Sequence, residues 1–324
     1  MIELISESAL ATVQDQGRRG GLNFGVGTSG AMDQLALGAG NLLLGNAPED
    51  AAIELQVFPA KWRFNADVRF ALTGADTRAK LNHRPLPPWW VAQAHAGDEL
   101  ELGRPIRGCR AYLCLPGGID VPRILGSRST QLRGSFGGFE GRCLRPGDRM
   151  AAVLPDSGGS VDFGIIPPEC AMPLGERGLT TVRVIPASEY PCYPAASQNA
   201  FWTRDWKISS QSNRYGYRLA GDALLPIRPL EIRSHGIVPG VIQVPPDGQP
   251  IIQMRDAQPT GGYPKFGTVI EADLWRLAQA PIGSRVRFIR ATYDEGIAAL
   301  EANSRWLDDV KRLVGIWATR GYSA

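Results

Sequence analysis

The stretch Gly240-Val241-Ile242-Gln243-Val244, a turn through Pro245 and Gly248, the run Pro250-Ile251-Ile252-Gln253-Met254 and the loop Asp256-Ala257-Gln258-Pro259-Thr260-Gly261-Gly262-Tyr263-Pro264-Lys265 decide the fold class. Each apolar run is bounded by glycine or proline and is too short for a stable helix, so it reads as a buried strand. The same pattern recurs outward, at Val68 to Leu72, Ala111 to Leu115, Val182 to Ile185 and Ser284 to Ile289. The 38 glycines and 25 prolines supply turn signals between such runs. Short strands with frequent turns indicate a mainly β protein, a barrel or a sandwich, with few helices.

Three helices are expected. Met32 to Leu44 carries apolar residues at Met32, Leu35, Ala36, Ala39, Leu42 and Leu43, with Gly45 as its stop. Glu271 to Ala280 is a shorter one. Asp294 to Trp317 places Ile297, Leu300, Leu307, Val310, Val314 and Trp317 at helical spacing behind two acidic residues.

The length of 324 residues allows two domains with cores of their own. Gly164 through Gly178, rich in proline and glycine, reads as a linker, which divides the chain into residues 1–165, a linker 166–177, and residues 178–324. The halves carry a faint repeat. Ile2 to Ser6 parallels Val182 to Pro186, and Ile53-Glu54-Leu55 parallels Leu230-Glu231-Ile232. Thr73-Gly74-Ala75-Asp76 falls roughly opposite the Gly261-Gly262 loop.

A formal charge of +3 with no basic block argues against nucleic acid as a partner. No apolar run is long enough to span a bilayer, and the acidic start Met1 to Glu7 is unlike a signal peptide, so a cytoplasmic protein with no membrane partner is expected. Five cysteines without a Cys-x-x-Cys pair, and three isolated histidines, give no metal site.

Four polar constellations carry the candidate chemistry. In the first, Asp15 and Arg18 flank a turn at Gly17. The second, Gly25 to Asp33, leads into the first helix and offers Ser29 and Asp33; Ser29 reads equally as a helix cap. The third surrounds Arg128 with Ser127, Ser129 and Thr130, a set suited to a carboxylate or carbamate. The fourth is the loop quoted above. There Gln243, Thr260, Gly261, Gly262, Tyr263 and Lys265 offer amide, hydroxyl, phenol and ammonium groups beside Asp256, and paired glycines allow a close ligand or a positive φ. No Ser-His-Asp pattern and no Walker loop is present.

Taken together, Thr12-Val13-Gln14-Asp15 with Gly17-Arg18, Ser29 to Asp33, Gly108 to Tyr112, Asp120-Val121-Pro122 with Leu125 to Thr130, Gly216 to Leu219 and Thr260 to Pro264 resemble the biotin-dependent carboxyltransferase, or urea amidolyase-related, family. Its members include the C-type subunit of bacterial ATP-dependent 5-oxoprolinase, the second allophanate hydrolase-type subunit, part of urea carboxylase, and the antagonist of a sporulation-kinase inhibitor. Pro259 and Ala257 stand where the family more often has a hydroxyl residue and a cation. The resemblance implies two tandem cyclophilin-like β-barrels working beside a small sister subunit of the allophanate hydrolase subunit 1 type and a lactam-utilisation-type subunit. The implied reaction opens 5-oxo-L-proline to L-glutamate at the expense of ATP. Arg128 would hold the carboxylate of this small amide substrate, with Ser29, Asp33, Ser129, Thr130, Gln243 and Thr260 around it. The Gly261 and Gly262 amides, Tyr263 and Lys265 would face developing charge, and Asp15 or Asp256 would act as base. No cofactor is expected on this chain alone. ATP with Mg would enter at the level of the complex, and biotin on another subunit if the reaction is instead carboxyl transfer to urea or a related amide. No lysine here sits between methionines, as a biotin-bearing one would. A third reading is a non-enzymatic antagonist that binds a small inhibitor protein.

Overall fold

The structure, a computed structural model, describes residues 1–6, 10–159, 161–176 and 178–320. Contacts divide the chain into two units. The first comprises Met1–Arg18, Ser29–Met172 and Ser304–Ala324; the second comprises Arg19–Thr28 and Pro173–Asn303. Arg177 of the expected linker and residues 321–324 lie outside the described residues.

In the first unit two six-stranded sheets share one core. One sheet runs Arg149–Met150, Ile2–Leu4, Ala60–Phe64, Glu99–Leu102, Lys80–Leu81, Arg84–Pro85. The other runs Phe163–Gly164, Trp90–Ala94, Val68–Asp76, Arg107–Cys114, Ala52–Leu55, Thr12–Gln14. Ile2, Leu4, Trp62, Phe64 and Leu100 of the first sheet meet Val13, Ile53, Phe70, Leu72 and Leu113 of the second. Because side chains alternate along a strand, Ala52, Ala71, Tyr112 and Cys114 point to the opposite face of the second sheet. The first helix, Gln34–Leu43, covers that face with Ala36, Leu37, Ala39 and Leu43. A sheet buried on both faces explains why its strands read as near-continuous apolar runs.

The second unit closes a seven-stranded barrel in the order Thr180–Pro186, Lys265–Val269, Val241–Gln243, Ile251–Gln253, Gly216–Ala220, Trp206–Ile208, Arg285–Arg290. Neighbours are antiparallel except at the seam, where Thr180–Pro186 pairs parallel with Arg285–Arg290. The mainly β class therefore stands, with the hydrogen-bonded barrel in the second unit and two facing sheets in the first.

The expected helices appear as Gln34–Leu43, as Glu271–Asp273 continuing into Leu274–Ala278, and as Tyr293–Arg320. Gly45 (φ 78°) follows the first helix in the left-handed conformation that glycine tolerates. One helix that periodicity does not announce, Ala195–Thr203, is held by Phe201. Its ring lies 4.4 Å from that of Phe266 and stacks on Phe288 at 4.5 Å. Leu230-Glu231-Ile232 forms no strand, so its parallel with the buried strand Ala52–Leu55 fails.

The division into units differs from residues 1–165 and 178–324 in two places. Arg19–Thr28 belongs with the second unit, where the Thr28 hydroxyl donates to the Arg255 carbonyl (3.3 Å) and a Cβ at Gly27 would lie 2.8 Å from the Ala257 carbonyl oxygen. Ser304 onward belongs with the first unit: Trp306, Leu307 and Val314 pack on its second cluster, with Trp306 edge-on to Trp89 at 5.9 Å. Helical spacing shows that a stripe must be buried; it does not say against what.

Two glycines of the first helix give a matched test. A Cβ at Gly40 would lie 2.7 Å from Cys114 Sγ and 2.9 Å from Thr73 Oγ1, whereas one at Gly38 would meet nothing closer than 3.7 Å. Gly38→Ala should be neutral or stabilising by roughly 0.5–1 kcal/mol, through helix propensity. Gly40→Ala should cost about 1–3 kcal/mol through overpacking. Urea unfolding of the two variants measures the contrast.

Candidate functional site

In the first unit the candidate residues converge on Asp15, just beyond the edge strand Thr12–Gln14. Oδ1 accepts from the Gly17 amide (2.8 Å), the Ser127 hydroxyl (2.7 Å) and the Ser129 hydroxyl (2.5 Å). Oδ2 accepts from the Arg128 amide (2.5 Å). The carboxylate is buried, and a buried charge persists only when donors replace water. Those donors tie the Ser127–Ser129 loop to the Asp15 turn. The loop's other groups are committed too. The Thr130 hydroxyl and amide both donate to the Val13 carbonyl, at 3.0 and 2.9 Å. Arg18, also buried, donates to the Ser129 carbonyl and lies over the Phe136 ring at 4.7 Å. Asp15, expected as a base, and Ser129 and Thr130, expected on substrate, thus have their polar atoms engaged in holding the loop.

Arg128 is different. Its backbone is fixed by Asp15, and its Nε donates to the Val121 carbonyl (2.9 Å). The guanidinium is half-buried and makes no ion pair among the described residues. It presents further N–H donors of the kind that grip a carboxylate.

Ser29 and Asp33 sit before the first helix. Asp33, not Ser29, is its N-cap, accepting from the Ala36 amide at 2.9 Å. The Asp33 amide donates to the Tyr112 hydroxyl (2.8 Å), which donates to Glu54 (2.7 Å). Glu54 also accepts from the Met32 amide (2.8 Å) and lies 3.9 Å from Arg110. Burial, and then the carboxylates of Glu54 and Asp33, hold the Tyr112 phenol well above the usual range, so it keeps the proton it donates. Asp33 therefore serves the helix. Ser29 is buried at φ 51°, and its hydroxyl has no partner among the described residues.

In the second unit Asp256 forms a bidentate pair with Arg214, Nε to Oδ2 at 2.8 Å and Nη2 to Oδ1 at 3.0 Å, with both side chains buried. The expected base is thus locked in an ion pair. Gln243 donates to the Tyr263 carbonyl (3.3 Å) and accepts from Gln253 (3.1 Å). Lys265 pairs with Gln243 across the strands beside a register shift. Its amide donates to Glu189 (3.0 Å), and its Nζ lies 3.9 Å from the same carboxylate. Thr260 and Tyr263 are exposed.

Gly261 and Gly262 do not use a left-handed backbone. A Cβ at Gly261 would lie 2.6 Å from the Gln243 amide nitrogen, and one at Gly262 3.0 Å from the Ile232 carbonyl. At these two glycines the close neighbours are protein groups, the Gln243 side chain and the Ile232 carbonyl. A cleft of about 340 Å³ in this unit lies elsewhere, between Ser209–Gln211, Arg218 and Asp247 to Ile251. No group of His, Cys, Asp and Glu fit to hold a metal occurs among the described residues.

Arg214, Gln253, Glu189 and Glu54 were not singled out as site residues from sequence. Arg214 stands 42 residues from Asp256, and no local pattern joins them.

Two stability measurements separate structural from chemical roles. Asp15→Asn should lower the free energy of unfolding by about 1.5–3 kcal/mol, the scale of a hydrogen bond to a charged group. An unchanged melting temperature would return Asp15 to the list of free bases. Arg214→Met should cost about 3–5 kcal/mol by stranding the Asp256 carboxylate, and adding Asp256→Leu should recover much of it.

The comparisons with known proteins agree with this architecture. The chain matches the family model described as carboxyltransferase domain, subdomain A and B, over residues 24–290. It is 42% identical over 314 residues to the C-type subunit of 5-oxoprolinase from Haemophilus influenzae, spanning 97% of this chain and 99% of that protein. The same subunit of Escherichia coli is 41% identical over 310 residues, covering 96% and 97%. Urea amidolyase of Lachancea kluyveri is 32% identical over 90% of this chain, which spans only 17% of that longer protein. Among solved structures, the urea carboxylase of Kluyveromyces lactis superposes with a TM-score of 0.87 at 28% identity, over 95% of this chain and 29% of that one. By a match across most of its length, the chain belongs to the family of carboxyltransferase domains with subdomains A and B.

Proposed function

We propose that the chain is one subunit of an ATP-dependent 5-oxoprolinase that converts 5-oxo-L-proline to L-glutamate. The observation that carries this reading is end-to-end similarity to the C-type subunit of 5-oxoprolinase in two bacteria, against partial coverage of the urea amidolyases. A subunit implies partners. A small sister subunit of the allophanate hydrolase subunit 1 type and a lactam-utilisation-type subunit fit the reaction, with ATP and Mg entering at the level of the complex. A cytoplasmic location suits such an enzyme, and no described helix is long and apolar enough to cross a membrane.

A lactam is a poor electrophile, so the reaction needs an activated carbonyl, a held carboxylate and groups facing the oxyanion. In the first unit Arg128, its backbone held by Asp15, is a group fit to bind a carboxylate. Considered by itself, the second unit offers exposed Tyr263 and half-buried Lys265 as groups fit to face developing charge, with Glu189 beside the ammonium. Asp15 and Asp256 shape these loops.

The second reading is carboxyl transfer from a biotin on another subunit to urea or a related amide. The family model and the urea carboxylase superposition favour it as the alternative. Avidin detection of a biotinylated protein in the purified complex would select it.

The chain by itself should hydrolyse neither ATP nor 5-oxo-L-proline; the complex assembled from genomic neighbours should do both in step. Lys265→Met should shift stability by no more than about 0.5 kcal/mol, and Arg128→Met by about 0.5–1.5 kcal/mol, because it also loses the Nε hydrogen bond to the Val121 carbonyl. Turnover of the complex should fall about tenfold or more, the effect of one lost charge-assisted contact. Full turnover by Lys265→Met would place that lysine outside the chemistry.

A further inference from the structure

The cleft of about 340 Å³ in the second unit is built on the outer wall of the barrel. Its floor comes from the neighbouring strands Gly216–Ala220 and Ile251–Gln253. Along the first of these, Tyr217 and Leu219 are buried, so Arg218 and Ala220 face outward by strand alternation. The pairing sets Arg218 opposite Ile251, and the Ser209 amide donates to the Arg218 carbonyl (2.9 Å). Ser209, Arg218 and Ile251 thus form one row across the wall. Two turns supply the rest of the lining, Ser209 to Gln211 and Asp247 with Gln249.

The framework of the cleft is tied down, and its charges are unspent. The Ser212 hydroxyl accepts from the Arg218 amide (3.0 Å) and donates to the Arg218 carbonyl (3.2 Å). The Arg218 guanidinium itself has no partner among the described residues. Gln249 is committed to Gly221, Oε1 accepting from its amide (3.1 Å) and Nε2 donating to its carbonyl (3.2 Å). Asp247 Oδ1 accepts from the Gln249 amide (3.0 Å), and the carboxylate makes no ion pair among the described residues. Ser209 Oγ accepts from the Gln211 amide (3.3 Å), which leaves its O–H free to donate. A cation and an anion therefore line one accessible cleft without meeting, over the apolar side chains of Ala220 and Ile251. Opposite charges held apart match a molecule that carries both signs. The volume suits a small ligand.

We propose that this cleft binds a zwitterionic α-amino acid, its carboxylate on Arg218 and its ammonium on Asp247, and that the occupant is L-glutamate. The choice of L-glutamate rests on the 5-oxoprolinase reading, in which it is the product; its second carboxylate would take the hydroxyls of Ser209 and Ser210. None of these residues belongs to the Gly261–Gly262 loop, so the cleft would sense the product apart from the groups assigned to the reaction.

The test is isothermal titration of the full chain with L-glutamate, which needs no turnover. Saturable binding is expected, weakened about tenfold by Arg218→Met and by Asp247→Asn. Both residues are exposed, and the asparagine oxygen can still accept from the Gln249 amide, so both variants should fold. Glutarate, which lacks the ammonium, and 5-oxo-L-proline, whose nitrogen is a neutral amide, should each bind about tenfold more weakly than L-glutamate. The proposal is overturned if millimolar L-glutamate does not saturate the wild type, if neither substitution changes its affinity, or if glutarate binds as tightly. In the complex assembled with its partner subunits, Arg218→Met should leave turnover of 5-oxo-L-proline unchanged. A fall in turnover would assign Arg218 to the reaction and overturn the separate site. A wild-type complex that does not turn over 5-oxo-L-proline refutes the 5-oxoprolinase reading instead, and the titration still decides for the cleft.

Discussion

The buried carboxylate of Asp15 is the contact on which the first unit's polar loops depend. It has exchanged water for amide and hydroxyl donors from Gly17, Ser127, Arg128 and Ser129. A charge in that position holds its donors tightly, because releasing one leaves the charge undersolvated. The consequences spread outward. The Asp15 carbonyl accepts from the Ala31 amide (2.8 Å), and a Cβ at Gly30 would lie 2.9 Å from the Gly17 Cα. The approach to the first helix is therefore built on the Asp15 turn. Further along, Met32 and Asp33 are caught by Glu54 and Tyr112 on the sheet beneath.

The second unit solves a similar problem with an ion pair. Arg214 precedes the strand Gly216–Ala220 and Asp256 follows the strand Ile251–Gln253, and these two strands are hydrogen-bonded neighbours. Their bidentate pair fixes where the chain leaves the barrel before the loop at Gly261. The Asp256 amide donates to the Arg214 carbonyl (2.9 Å), so backbone and side chain agree on one geometry. In both units the acidic residue that looks catalytic in one dimension is a structural anchor in three. The half-buried guanidinium of Arg128 stands beside the first anchor, with N–H donors left over.

The polar clusters were legible from type and spacing, and the partners of their members were not. Arg128 among hydroxyl residues does form a polar knot, but the hydroxyls of Ser127 and Ser129 face Asp15, 112 and 114 residues away. The paired glycines at 261 and 262 read as a place for a close ligand or a positive φ, and neither takes a positive φ. What approaches is Gln243 and Ile232, since the pairing of the strands brings those groups in. His235 reads as an isolated histidine, and its place opposite Gly261 is a register that no local pattern records.

The amino-acid sequence by itself determined the local features. Short apolar runs between glycine and proline specify strands, three- and four-residue spacing specifies the long helices, and the scattered motifs specify the family. Each depends on residues close along the chain, where backbone preference and side-chain periodicity act directly. The tertiary structure decided the rest: which unit claims Arg19–Thr28 and the end of the last helix, where the barrel closes with a parallel seam, and which carboxylates are spent. Those outcomes depend on buried polar groups finding partners and on apolar stripes finding a surface. Such partners lie tens to more than a hundred residues away, so only the folded chain brings them together.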